Sequence, residues 1–172
     1  MAWIYDGRHR PPFAEQPGPG QESVWDYPRP PIVVADTRSV AVRFVNFVVA
    51  ESNRALRVLE TASAPTFYLP PEDVRSGYLK VGRGASFCEW KGEAVYYDLV
   101  GDWGELSQVG WSYPHPSPAF QALAGYIAFY PSKLECYVDR ERVRAQPGGF
   151  YGGWVTRDIA GPVKGVPGSA GW

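Results

Sequence analysis

The sequence predicts a mainly β protein, a curled, barrel-like antiparallel sheet with one short helix and long irregular arms. Three observations carry this. Glycine and proline are abundant, 19 and 17 of 172 residues, and they divide the chain into short stretches bounded by turns. Rings are plentiful, 7 Trp, 11 Tyr and 8 Phe against a single Met, and aromatic side chains favour strands. Between the breaks, apolar and polar residues alternate with period two.

The elements follow in order. Residues 1–38 and 146–172 concentrate Gly and Pro, a composition that does not offset ordering entropy by itself. They nevertheless carry Trp3, Trp25, Tyr27, Phe150, Tyr151, Trp154 and Trp172, rings that can each bury about 150–250 Å². Both segments are therefore expected to be arms pinned by their aromatics on a single β domain, residues 39–145. Within it, Val40–Phe44 and Val48–Ala50 read as a hairpin around Asn46, Ala55–Glu60 as a strand in preference to a short helix, and Thr66–Leu69 as a strand. Pro71–Val74 opens with Pro and two acids and reads as a helical turn. Ala94–Val100 and Leu106–Tyr113 flank a glycine turn as paired strands. Pro118–Gly125, preceded by Ser117 as cap, is the predicted helix. Tyr126–Tyr130 returns to strand, and Cys136–Val138 with Arg142–Arg144 forms a last hairpin.

Formal net charge is −1, which argues against a general electrostatic grip on nucleic acid or anionic lipid. No apolar run approaches the roughly 20 residues of a membrane span, and no signal-peptide pattern follows Met1. The expectation is a soluble cytoplasmic protein, monomer or homodimer, that engages neither nucleic acid nor membrane.

Specific strings then become recognisable. Gly18–Pro30 (GPGQESVWDYPRP), Arg54–Thr61, Tyr68–Val74, Cys88–Gly92, Trp111–Pro114, Ala128–Pro131, Gly152–Thr156 and the closing Pro167–Trp172 occur in order along nearly the whole chain. Together they resemble the longer members of the domain-of-unknown-function-427 family. The resemblance implies a mainly β fold related to the zinc-binding tent-like proteins, and a nucleotidyltransferase-type label, but no particular reaction.

The residues themselves narrow the chemistry. A structural zinc site wants four ligands, usually two Cys pairs; Cys88 and Cys136 stand alone, with only His9 and His115 to help. No metal and no cofactor are expected. Lys91 stands close enough to Cys88 to favour a thiolate, although a free Cys is more often packed, as is expected of Cys136. Nucleotidyl transfer needs paired acids to hold metal-bound phosphates, and no Asp-x-Asp or phosphate loop occurs. His115, between two prolines, is the one imidazole of the body and reads as a loop residue or a general base.

A polar-aromatic set remains. Arg54, Arg57, Tyr68, Trp111, Tyr113 and His115 are the candidate ligand-binding residues, and Lys91, Cys88 and Tyr97 the candidate catalytic ones. Gathered at one end of a curled sheet, they would make a pocket for a small molecule, an anionic or nucleotide-like metabolite. Two alternatives stand beside this. Arg57 and Glu60 can form a plain structural ion pair. The aromatic arms can dock on a partner or a second subunit, leaving a structural module without catalysis.

Overall fold

The computed structural model describes residues 3–172. Its strands, in chain order, are β1 (Glu22–Ser23), β2 (Ile32–Asp36), β3 (Val40–Phe44), β4 (Phe47–Ser52), β5 (Ala55–Leu59), β6 (Thr66–Tyr68), β7 (Leu79–Cys88), β8 (Gly92–Gly101), β9 (Gly104–Ser112), β10 (Ile127–Phe129), β11 (Glu135–Val138), β12 (Glu141–Arg142), β13 (Arg144–Ala145), β14 (Trp154–Val155) and β15 (Ile159–Ala160). The protein is mainly β and mostly antiparallel. Three ladders dominate, in the orders β10-β9-β8-β7, β2-β5-β6 and β12-β11-β3-β4. The first two are joined where Leu69 and Ile127 exchange backbone hydrogen bonds of 2.8 and 2.9 Å. The joined sheet curls without closing into a barrel.

The period-two pleat decides what each face carries. Tyr96, Trp111 and Ala128 stand opposite one another across β8, β9 and β10, and Tyr97, Gly110 and Phe129 form the next row. The first row faces a cluster with Val58, Tyr68, Tyr113, Phe120 and Leu123. The second faces the main core of Val40, Val42, Phe67, Leu69, Leu99 and Trp154. A third cluster, around Trp25, Tyr27 and Ile159, holds chain from both ends together. There β1 pairs in parallel with β15.

Several expectations change in detail. Pro118–Leu123 is a short 3₁₀ segment, kinked at Phe120 (φ −116°, ψ 19°). Ser117 makes no side-chain cap; its hydroxyl donates instead to the Trp90 carbonyl at 2.5 Å. Strand β2 falls inside the stretch assigned to the N-terminal arm, yet it pairs with β5 along its full length. Strand β7 was not foreseen at all. It is a mostly exposed edge strand, with a register break between Val81 and Ala85 around Gly82-Arg83-Gly84, so it lacks the alternation that marks a half-buried strand.

Candidate functional site

A cleft of about 450 Å³ opens on the concave face of the curled sheet. Strands β5 and β6 bring Val58, Thr66 and Tyr68 to it, and Glu60 follows on the same face as Val58. Strands β7, β8 and β9 bring Ser86, Phe87, Cys88, Tyr96 and Trp111. The turn after β7 adds Glu89, Trp90 and Lys91. The fourth side comes from the chain ends, with Trp3, Phe150, Tyr151 and Lys164.

The inner surface is aromatic and hydroxyl-bearing. Trp111 Nε1 donates to the Tyr68 hydroxyl at 3.3 Å, and Tyr96 and Ser86 share a hydrogen bond of 2.8 Å. Tyr130 packs on Trp111 with ring centroids 4.5 Å apart. The chain crosses the indole at Gly152, where a Cβ would lie only 2.8 Å from Trp111 Cζ3; only a glycine lets the backbone come this close. Burial pushes the phenols of Tyr68 and Tyr113 well above their usual range, and that of Tyr130 up to about 12. All three are neutral hydroxyls at physiological pH.

Lys91 is the charge inside this surface. It is only 9% exposed, and its ammonium lies 5.8 and 5.9 Å from the ring centroids of Tyr113 and Phe120. Among the described residues it makes no ion pair or side-chain hydrogen bond. A long side chain can bury its stem and still leave its ammonium within reach of water. Ser117 holds the main chain of this lysine: its backbone N–H donates to the Lys91 carbonyl at 3.0 Å, beside the hydroxyl bond to Trp90. Lys164, near the mouth, is differently placed. Its ammonium lies 5.0 Å from the Trp3 ring and reaches the Trp172 main-chain oxygen at 3.3 Å. Burial, then the charge of Arg29, lowers its pKa, while Glu60 and Glu89 act in the opposite sense.

The expected set divides. Tyr68, Cys88, Lys91, Trp111 and Tyr113 line the cleft; Arg54, Arg57, Tyr97 and His115 do not. Arg54 is exposed and paired with Asp73 at 2.9 Å. Arg57 points to the opposite face of β5 from Val58, where it meets Glu22 and Asp36. Glu60 pairs not with Arg57 but with Arg29, at 3.3 Å. Tyr97 sits on the core face of β8 and bonds Ser112 at 2.9 Å. His115 is exposed on its loop. Cys88 is partly exposed and Cys136 buried, and both are free; Cys136 lies in the main core, where burial raises its pKa. Lys164, Tyr96, Tyr130, Phe87 and Phe150 are lining residues that sequence reasoning missed. Only the Phe150-Tyr151 pair, framed by glycines on both sides, left a legible signal.

Among the described residues no group of three or more His, Cys, Asp or Glu is placed to hold a metal ion, and no helix is long and apolar enough to cross a membrane. Fold and cleft thus define a mainly β protein with an open, aromatic-walled recess on its sheet. The chain belongs to the family described as a domain of unknown function (DUF427), whose profile matches residues 32–140. That match starts at the first residue of β2 and ends just after β11. A search of curated proteins finds no match.

Proposed function

We propose that this protein binds a small anionic metabolite in the cleft, with Lys91 as the principal charge. One observation carries the reading: Lys91, a residue only 9% exposed and without an ion pair or side-chain hydrogen bond among the described residues, lines a recess that a small molecule can enter. The volume of about 450 Å³ falls within the range of small-molecule sites, roughly 300–1,000 Å³. The neutral phenols of Tyr68, Tyr113 and Tyr130 add potential hydrogen-bond donors without repelling an anion. Arg54, Arg57 and His115 drop out of the ligand set, and Lys164 enters it. The reading in which the arms dock on a partner has less support, since Trp25 and Trp154 are 0% and 1% exposed within the same chain.

The test is a thermal-shift and calorimetric screen of the full chain with inorganic phosphate, nucleotides and small carboxylates. An anion at 100 times its dissociation constant is expected to add about 2.7 kcal/mol of stability, and Lys91→Ala is expected to remove that gain. No shift from any anion overturns the proposal.

A further inference from the structure

Two of the most exposed rings in the protein stand on the same cleft. Phe87 on the edge strand β7 is 78% exposed, and Phe150 in the C-terminal segment is 74% exposed; both line the recess. Large rings left in water at the mouth of a concave site forgo burial that folding normally rewards. Phe150 meets Tyr151 edge-on at 5.4 Å and is framed by Gly148-Gly149 and Gly152-Gly153, with Gly148 at φ +78°.

The two lysines of the cleft differ in their partners. Lys164 reaches the Trp172 main-chain oxygen at 3.3 Å, whereas Lys91 makes no ion pair or side-chain hydrogen bond among the described residues. The exposed Glu89 lies between Phe87 and Lys91 in the chain and disfavours a second negative group at the mouth. The arrangement thus combines a largely covered lysine without a side-chain partner and two exposed rings.

We propose, building on the anion-binding reading above, that the ligand is an aromatic oxyanion. Its carboxylate or phosphate head meets Lys91 and its planar ring lies against Phe87 and Phe150. Ring-on-ring packing adds attraction beyond area burial, and a puckered aliphatic ring of similar size cannot supply it.

Isothermal titration of the full chain with benzoate, cyclohexanecarboxylate, phenyl phosphate and inorganic phosphate tests this. Benzoate is expected to bind about tenfold more tightly than cyclohexanecarboxylate, and phenyl phosphate about tenfold more tightly than phosphate. The Phe87→Ala/Phe150→Ala variant, which alters only exposed side chains, is expected to lose both preferences. Equal affinities for benzoate and cyclohexanecarboxylate, or preferences that survive in the double variant, overturn the aromatic assignment while leaving anion binding intact. Failure of all four probes to bind overturns the anion-binding reading itself.

Discussion

The carboxylate of Asp36, with its side chain 7% exposed, lies between two guanidiniums. Arg38 approaches it at 2.7 Å. Arg57 Nε lies at 3.2 Å, close enough for Coulomb attraction but without hydrogen-bond alignment. Burial alone would raise the Asp36 pKa, but the hydrogen bonds and charge of Arg38, helped by Arg57, hold it below the usual carboxylate value. A folded-state pKa below the unfolded one means stability that is present above about pH 4 and lost as pH falls further. Urea melts at pH 7 and pH 3 should show this loss, and Asp36→Asn should make it smaller. Arg57→Ala should cost about 2–3 kcal/mol, because it leaves charge on Asp36 and Glu22 less compensated, and should leave phosphate affinity unchanged. At the alkaline end the sign reverses. Raised phenol values at Tyr68, Tyr113 and Tyr130 mean stability lost as pH rises past about 10. Absorbance titration should show these tyrosines ionising later than the exposed ones.

At the scale of single strands, neighbouring residues have opposite roles. Tyr96 and Tyr97 are adjacent in β8, yet one lines the cleft and the other bonds Ser112 on the core side. Tyr97→Phe should therefore cost about 1 kcal/mol in a urea melt and leave anion affinity untouched. Gly152→Ala should press on the Trp111 ring, cost about 1–3 kcal/mol and weaken anion binding in the calorimeter. Strand β3 is legible because one face is buried and the other is not, as in Val40-Ala41-Val42-Arg43; β8 is legible from its run of apolar and aromatic residues, Ala94 to Val100, which is covered on both faces. Alternation alone could not say which face met the cleft. That depends on cross-strand register, for Arg57 that of β5 with β2 and β6, and for Tyr97 that of β8 with β9, which carries a bulge between Tyr97 and Leu99. Strand β7 escaped notice because its pairing energy comes from backbone bonds to β8, with little apolar burial to mark it. Lys164 was invisible for another reason: it reaches the cleft from a Gly/Pro-rich segment without periodicity.

At the scale of the molecule, one guanidinium ties the ends to the sheet. Arg29, with its side chain 2% exposed, donates to the main-chain oxygens of Tyr5 (2.9 Å), Thr61 (3.0 Å) and Trp172 (2.9 Å), and pairs with Glu60 at the cleft wall. Its plane also lies over the Trp3 ring, 4.1 Å from the centroid. Arg29→Ala should cost about 3 kcal/mol, and limited proteolysis should then cut both end segments before the central sheet. The same feature constrains the order of events in synthesis. Arg29 and Trp172 stand 143 positions apart, so at translation rates of about 5–20 residues per second the arginine waits roughly 7–30 s for its last acceptor. Until then the early tryptophan cluster lacks its covering ring, and a nascent chain stalled before Trp172 should be far more open to proteases and chaperones than a chain that includes it.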